Sequence, residues 1–423
     1  MTTLKQALNE MRSQPVIGAV TLAGTALAIF LIMIVVMINN VKIAPIAPES
    51  GRNRMLHEKH MDFRKLNGEN RGSGDIGYKM ARELYGDLES AEATAVYQSG
   101  TSRGSVRVAG QPPIRIDIRT TDDEYWRVFD HTFLSGHPFT PQDIENSSPV
   151  AIISEDVARR LFGTTDVVGR EIIVNLFTRL TVAGVVRDVP TITGNAYASL
   201  WMPHSHNIIN QDTYFDGMKA TILARDKSDF PAIFAETERR KEMVNSRLKA
   251  EGIKIANHIV PLTQEESLLA RWSNIGPDIE SHRKQQLMVY LIMLLIPAIN
   301  LSSMTQSRLR RRVSEMGVRR AFGCTRLRLI NSIITENFLI TLAGGLIGLV
   351  LSVAFAGLLA DTLFVNHKVI NTDTRVDITM LLNWHTFLFA MIFCFLLNLI
   401  SSGLPAWRAA RVNPVRAIGG LQK

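Results

Sequence analysis

Four apolar stretches constrain this chain most, because each is long enough to cross a lipid bilayer as a helix. The first, residues 16–38, has 23 residues and no charge. As a helix it would be about 34 Å long, against a hydrocarbon thickness of about 30 Å. The others are residues 287–303, 338–360 and 384–402. We predict an α-helical membrane protein with four transmembrane helices. The second stretch contains Pro297 and also fits a buried helix.

Arginines set the predicted orientation of these helices. Residues 308–328 contain eight arginines and a single acid, Glu315. Each arginine at the bilayer centre would cost about 2.5–3.5 kcal/mol, so this segment lies outside the bilayer. The positive-inside rule places it in the cytoplasm. Lys5 and Arg12 precede the first stretch, and a basic tail follows the last. Both termini are therefore predicted to be cytoplasmic, and the net charge of +8 reflects orientation rather than nucleic-acid binding.

This topology divides the chain around one large extracytoplasmic segment. The parts are a cytoplasmic N-terminal helix (1–15), transmembrane helix 1 (16–41), an extracytoplasmic mixed α/β domain with stalk helices (42–283), transmembrane helix 2 (284–307), a cytoplasmic loop (308–330), transmembrane helix 3 (331–362), a short extracytoplasmic loop (363–383), transmembrane helix 4 (384–404) and a cytoplasmic tail (405–423).

The extracytoplasmic segment is predicted to be a mixed α/β domain, because strand-like and helix-like patterns alternate along it. Strands are predicted at 105–108, 114–118, 150–153, 171–174 and 180–186. Ser154 is a suitable N-cap for a helix over 155–162 that Gly163 ends. A longer helix is predicted over 230–249, with Phe234, Met243 and Val244 on its apolar stripe. Stalk helices are predicted around 55–66 and 265–287, with loose linkers as the alternative.

Small residues recur every fourth position in the third apolar stretch. They are Gly344, Gly348, Ser352 and Ala356. Such a face lets two helices approach closely in lipid, where packing replaces the hydrophobic effect. Its partner is either another span of this chain or a second copy. Glu336 lies near the cytoplasmic end of the same stretch, where a buried carboxylate is costly. We predict a functional or packing role for it, with snorkelling to the interface as the alternative.

The basic loop also carries apolar residues at helical spacing. Val313, Met316 and Val318 lie beside Glu315, and Gly323 is suited to end the helix. A topology signal needs only positive charge. A short amphipathic helix with a single acid among arginines fits a groove on a soluble protein.

At this point the chain resembles a known family. The loop is similar to the signature of the MacB/FtsX-like permeases of ABC transporters in the spacing Arg312-x-x-Glu315-x-Gly317-Val-Arg319-Arg320-Ala-Phe-Gly323. Residues 405–418 resemble the terminal motif of that family, and residues 133–140, 150–163, 168–170 and 182–188 resemble its extracytoplasmic core. Two departures are Phe322, where a small or aliphatic residue is usual, and His137, where a basic residue is common.

The resemblance implies a non-catalytic permease subunit in the bacterial inner membrane. Residues 312–323 would form a coupling helix that docks on a cytoplasmic ABC ATPase and passes its movements to the outer domain, for export or extracytoplasmic work. For Glu315, pairing with Arg311 or Arg319 is the alternative role. The implied ATPase-coupling residues are Arg312, Glu315, Met316, Gly317, Arg319, Arg320 and Gly323.

Other implied partners are a second copy of the chain or a homologous permease, and membrane lipid. A periplasmic adaptor or outer-membrane factor is left open, as is the substrate. The alternative function is a membrane-anchored sensor with an extracytoplasmic ligand-binding domain.

The sequence contains no phosphate-binding loop of its own. Such a loop needs Gly-x-x-x-x-Gly-Lys-Ser/Thr, and no Gly-Lys dipeptide occurs. ATP and Mg²⁺ are therefore expected in a partner ATPase, with no cofactor in this chain. His57 and His60 are three residues apart, which does not suit a zinc-binding helix with histidines four apart. No catalytic or metal-binding residue is predicted.

Overall fold

The computed structural model describes residues 15–58, 60–206, 214–256, 260–270, 276–292, 295, 318, 322–358, 384, 387–389, 391–392, 395–396 and 399. The chain forms two compact units. One contains the long apolar helices, and the other, Val41–Ile279, is called the outer domain below.

The helices and strands follow one another in mixed order. The helices are α1 (Pro15–Ile43), α2 (Tyr78–Tyr85), α3 (Tyr125–Val128), α4 (Pro141–Glu145), α5 (Glu155–Phe162), α6 (Phe230–Leu248), α7 (Gln264–Leu269) and α8 (Arg326–Leu358). The strands are β1 (Met55–Glu58), β2 (His60–Lys65), β3 (Asn70–Asp75), β4 (Ala93–Gln98), β5 (Ser102–Arg107), β6 (Ile114–Thr121), β7 (Phe133–Gly136), β8 (Val150–Ser154), β9 (Glu171–Val174), β10 (Thr178–Val186), β11 (Leu200–Pro203), β12 (Met218–Leu223), β13 (Ile253–Ile255) and β14 (Leu262–Thr263).

Two described helices are long and apolar enough to cross a membrane. They are Leu22–Ile43, within α1, and Phe338–Leu358, within α8. Residues 279–292 are helical as well. Most of the predicted second and fourth spans lies outside the described residues, so the total of four helices stays a prediction.

Six strands of the outer domain close into a barrel. In the order β11-β8-β10-β9-β5-β6, each strand pairs with the next, and β6 pairs in parallel with β11 to complete the ring. Strands β4, β12, β1 and β14 extend the sheet from β6, and β7 pairs with β10. A separate three-stranded sheet has the order β13-β2-β3.

Alternation along the strands explains the barrel interior. Inward positions on β6, β9 and β10 are mostly apolar and buried, as is Val106 on β5, and outward positions are mostly polar. Helix α5 packs on this interior core; Val157 and Ala158 are fully buried. The Ser154 hydroxyl accepts a hydrogen bond from the Val157 N–H at 3.4 Å, and Gly163 ends α5 with φ of 74°. The predicted strands and this capped helix are confirmed.

Two further cores lie on the faces of the extended sheet. Helices α2 and α6 cover one face of β1, β12 and β4, where Leu84, Ile222 and Ile233 are buried. An aromatic cluster fills the other face, between the sheet and the outer wall of the barrel. Its central members are Tyr97, Tyr125, Phe129 and Trp201, all fully buried.

Three predictions about helices are wrong. Residues 55–66 form β1 and β2 rather than a stalk helix, because β1 is buried between β12 and β14 and the apolar side chains at 56, 61 and 63 enter the core. The predicted helix over 265–287 is interrupted, since α7 ends at Leu269 and helical residues resume at 279. Met243 is not on the apolar stripe of α6, because its side chain is 65% exposed.

Candidate functional site

The predicted ATPase-coupling residues are mostly outside the described part of the chain. This holds for Arg312, Glu315, Met316, Gly317, Arg319 and Arg320. Gly323 is described and has φ of 87°, which favours glycine. The Phe322 N–H donates to the Val318 carbonyl at 3.1 Å, and the Phe322 side chain is 88% exposed. Glu336 belongs to α8, but its side chain is among those not described.

The small-residue face of α8 packs against α1 of the same chain. Gly344, Gly348, Ser352 and Ala356 are all buried. A Cβ added at Gly344 would lie 2.8 Å from the Thr25 Cβ, and one added at Gly348 would lie 2.6 Å from the Ala26 carbonyl oxygen. Neither position therefore accommodates a side chain at this helix separation.

Replacing Gly348 with leucine is expected to push α1 and α8 apart and to destabilise the membrane unit by about 1–3 kcal/mol, the usual cost of overpacking. Unfolding of the purified chain in mild detergent would measure the change. Ala354→Leu, on the exposed face of α8, is the matched control. Equal losses of stability in the two variants would contradict the close packing of α8 on α1 through its small residues.

A buried ion pair lies within the outer domain, beside the residues where α1 ends. The Arg52 Nε donates to the Glu49 Oε2 at 2.7 Å, and the two side chains are 2% and 1% exposed. The Arg52 Nη1 also donates to the carbonyls of Val41 at 2.8 Å and Ala44 at 3.1 Å. The last carbonyls of a helix lack partners within it and carry partial negative charge. Arg52 therefore caps α1 and neutralises its C-terminal end.

The same ion pair holds a loop that is distant in sequence. The Arg52 Nη2 donates to the Ile192 carbonyl at 2.9 Å. The Glu49 Oε1 accepts from the backbone N–H groups of Asn195, at 2.7 Å, and Ala196, at 2.9 Å. Both charged groups thus have their hydrogen-bonding capacity largely used inside the protein, which is the condition under which a buried pair is tolerated.

Arg119 holds the same loop, residues 190–198, from the side of the barrel. It lies on β6 and is 1% exposed. Its Nη2 donates to the Gly194 carbonyl at 2.8 Å and its Nε to the Tyr197 carbonyl at 3.1 Å. Residues 190–198 are therefore fixed between the barrel wall and the end of α1.

Gln264 joins the chain that leaves the outer domain to the chain that enters it. It begins α7, and its Nε2 donates to the Lys42 carbonyl at 2.9 Å. Helix α7 directly follows β14, which pairs with β1. We call Glu49, Arg52 and Gln264 the root clamp, because together they bind both connections of the outer domain at one place.

A neutral histidine lies close to the root clamp. The His57 Nδ1 is 3.0 Å from the Thr221 Oγ1. Burial lowers the pKa of His57 well below its ordinary value, and the nearby cations Lys219 and Arg52 lower it further. His60 contacts a different residue: its Nδ1 lies 3.3 Å from the Asp75 Oδ1. Over the residues that the structure covers, no three His, Cys, Asp or Glu side chains are grouped to hold a metal ion.

Sequence reasoning missed the root clamp. Its one local signal is the Glu49-x-x-Arg52 spacing just after an apolar stretch, and such pairs are common on exposed helix surfaces. Arg119 gives no signal of its own, because it follows Arg115 and Asp117 at the polar positions of an alternating strand. Neither pattern identifies the partner carbonyls, most of which are far away in sequence, as Ile192 is from Arg52 and Gly194 is from Arg119.

Comparison with known proteins agrees with this architecture. Among the relatives is the macrolide export ATP-binding/permease protein MacB 1 of Yersinia pestis bv. Antiqua, 25% identical over 354 residues, which cover 82% of this chain and 50% of that protein. The chain thus spans about half the length of the MacB relatives it matches. The uncharacterized ABC transporter permease YknZ of Bacillus subtilis is 22% identical over 307 residues, or 71% of this chain and 69% of that protein.

Among solved structures, the periplasmic region of MacB from Actinobacillus actinomycetemcomitans aligns with 49% of this chain and 90% of its own, at 16% identity and a TM-score of 0.35. A family model described as the MacB-like periplasmic core domain matches residues 19–240, and one described as the FtsX-like permease C-terminal region matches residues 287–414. The chain therefore belongs to the MacB/FtsX type of ABC transporter permease.

Proposed function

We propose that this chain is the permease subunit through which a separate cytoplasmic ATPase drives movements of the outer domain. The movements would serve export or other extracytoplasmic work. In this proposal the chain itself hydrolyses nothing, and ATP and Mg²⁺ bind to the ATPase. It acts in the bacterial inner membrane with four transmembrane helices, both termini in the cytoplasm, and a second copy or a homologous permease beside it.

The root clamp is the observation that carries this proposal. A helix can move a domain when the end of the helix is attached rigidly to that domain. At Arg52 the attachment is a buried guanidinium with four hydrogen bonds, shared among Glu49, two carbonyls at the end of α1, and Ile192. Breaking such a buried pair costs about 3–5 kcal/mol. A rotation or shift of α1 is therefore expected to move the 190–198 loop with it.

The cytoplasmic loop is where the ATPase would deliver its movement to this chain. Its arginines and the single acid Glu315 precede α8 in the sequence. Helix α8 in turn packs along α1 through Gly344 and Gly348 without room for side chains. A push delivered at residues 312–323 would thus reach α8, then α1, and then the root clamp. In this proposal the small-residue face transmits force as well as binding two helices.

The names of the relatives are consistent with an ATP-binding part that works with this permease. Those named ATP-binding/permease proteins are about twice as long as the part that this chain matches. The present sequence has no Gly-Lys dipeptide with which to build a phosphate-binding loop. We propose that ATP binds to a separate polypeptide.

Glu315→Arg tests the docking role of the loop. It places a like charge among arginines, so we expect the ATPase to be lost from the purified complex or to hydrolyse ATP without moving the outer domain. The measurement is the amount and turnover of ATPase that co-purifies with the chain in mild detergent.

Glu280→Arg makes the same charge change at an exposed helical position paired with Lys284, and it is the matched control. Membrane insertion should be unchanged in both variants. Normal ATPase recovery and transport with Glu315→Arg would contradict the docking role.

A further inference from the structure

We propose that one exposed wall of the barrel binds an acidic surface of another extracytoplasmic protein. This wall consists of the outward face of β5, β9 and β10 with the adjoining part of β6. We call it the arginine wall, after its members Arg103, Arg107, Arg115 and Arg179. The proposal concerns a partner of the outer domain and does not depend on coupling to the ATPase.

Strand register places these arginines on one face. Arg107 pairs with Ile173 on β9, and Ile173 pairs with Arg179 on β10. On the other side of β5, Ser105 pairs with Arg115 of β6. Directly opposite residues on neighbouring strands have Cβ atoms about 5 Å apart. The arginines therefore lie on one face of the sheet, together with Ile173, which separates Arg107 from Arg179. Ile173 is only 7% exposed, as expected beneath long side-chain stems.

The domain neutralises only part of the charge on the arginine wall. The Arg179 Nη1 donates to the Glu171 Oε1 of β9 at 2.8 Å. Elsewhere on the surface, exposed arginines pair with acids on their own helices, as Arg127 does with Glu124 and Arg159 with Glu155, both at 2.8 Å. Within the part of the chain that the structure covers, Arg107 and Arg115 form no ion pair. Two guanidinium groups thus remain available to a carboxylate from outside.

The choice of cation favours a protein partner over a lipid surface. Residues 80–218 contain eleven arginines and no lysine. The planar guanidinium binds carboxylates through two parallel hydrogen bonds, which lysine cannot do. Attraction to an anionic membrane uses lysine and arginine alike. Arginine and aromatic residues are enriched in the centres of protein interfaces, where lysine is depleted.

An apolar anchor lies at the end of the same wall. The turn between β9 and β10 exposes 87% of Phe177 and 55% of Leu176. Asn175 and Leu176 have φ of 48° and 72°, the left-handed region that is unfavourable for a leucine. The Phe177 N–H donates to the Val174 carbonyl at 3.3 Å. A strained turn that displays two large apolar side chains is expected where they contact something.

This turn is fixed to the arginine wall. The Ser105 N–H donates to the Asn175 Oδ1 at 3.1 Å, and the Asn175 N–H donates to the Ser105 carbonyl at 2.9 Å. Phe177 and the arginines are therefore held in one rigid arrangement, which lowers the entropic cost of binding. The partner that fits has an apolar pocket bordered by carboxylates.

Photocrosslinking in cells tests the proposal on the full chain. A benzoylphenylalanine placed at position 177 should give one discrete protein adduct. The double variant Arg107→Glu with Arg115→Glu should lower the adduct yield at least tenfold. Arg127→Glu with Arg159→Glu, which makes the same change in net charge elsewhere, should leave the yield unchanged.

Peptide mapping of the adduct then identifies the partner surface. Replacing its mapped acids with arginine should restore the adduct to the Arg107→Glu, Arg115→Glu chain. Three results would overturn the proposal: no protein adduct, an adduct that the charge reversal does not reduce, or crosslinking to phospholipid instead. The last would assign the arginine wall to the membrane surface.

Discussion

Arg52→Met is expected to lower the free energy of unfolding of the outer domain by about 3–5 kcal/mol. Methionine removes the cation but leaves the Glu49 carboxylate buried, with 0% of its surface exposed. It also leaves the carbonyls of Val41, Ala44 and Ile192 without the donor that now satisfies them. Denaturant unfolding of the purified chain in mild detergent, followed by the fluorescence of the buried Trp201, would measure the loss.

Arg54→Met is a close control for this prediction. Arg54 belongs to the same short turn but pairs with Glu92 near the surface, where the side chains are 34% and 42% exposed. An exposed pair contributes about 0–1 kcal/mol, so this variant should lose far less. Adding Glu49→Gln to Arg52→Met should recover part of the stability, because it removes the uncompensated charge. Equal losses for Arg52→Met and Arg54→Met would contradict the root clamp.

The root clamp also makes a functional prediction with the same variants. If α1 moves the outer domain through Arg52, then Arg52→Met should allow ATP hydrolysis by the partner while the work done outside falls. The turnover of the co-purified ATPase and the transport or extracytoplasmic output are measured side by side. Loss of both together would indicate a folding defect rather than uncoupling.

Acidification is expected to destabilise the outer domain steeply. Burial lowers the pKa of His131 to about 3 and that of His204 to about 4, and it holds the pKa of His57 well below its ordinary value. In the unfolded chain all three titrate near about 6.5. Below that pH the unfolded state binds more protons than the folded state, so stability falls as pH falls.

Each such histidine contributes about 1.4 kcal/mol per pH unit. Asp122 opposes the trend, because burial raises its pKa to about 8 and its folded form keeps a proton that the unfolded form releases. That contribution lowers stability as pH rises through the window from about 4 to 8. The three histidines outweigh Asp122, and these four groups together predict a net loss of about 2 kcal/mol between pH 6 and pH 5.

His131→Phe tests the origin of this pH dependence. His131 lies among the rings of Tyr125, Trp126 and Trp201, and neither of its ring nitrogens has a hydrogen-bond partner in the described structure. Phenylalanine should fit the cluster and reduce the slope of stability against pH by about 1.4 kcal/mol per pH unit. His137→Phe, at an exposed histidine, is the control. Unfolding midpoints at pH 7, 6 and 5 provide the slope, and an unchanged slope in His131→Phe would contradict the assignment.

Local signals predicted much of the outer domain. The strands near 105 and 180 follow alternation that is visible in six or seven residues, and the strand near 150 is a short apolar run. Helix α5 has a hydroxyl at its start and a glycine at its end. Residues 55–66 were misread, because their composition permits a helix and their strand pairing depends on β12 and β14, which are about 165 and 205 residues away. Closure of the barrel through β6 and β11 is equally non-local.

The candidate site was predictable only in part. The small-residue face of α8 was evident from its four-residue spacing. The spacing fits a partner helix in the same chain or in a second copy, and the contacts with Thr25 and Ala26 show that the partner is α1 of the same chain. The root clamp depends on backbone carbonyls, which every residue possesses, so no residue pattern could reveal which ones Arg52 would meet. The role of the loop at 312–323 still rests on sequence and family.

Closure of the six-stranded ring has a consequence for how this domain survives outside the cytosol. The outer domain contains no cysteine, so no covalent cross-link can hold it together. A ring in which every strand has two neighbours leaves no free edge for a foreign strand to extend, and open edges are where sheet proteins aggregate. The six strands of the ring are thereby protected from edge-to-edge association, whereas β14 and the three-stranded sheet keep open edges. A protein that binds the arginine wall must contact its side chains and cannot add a strand there.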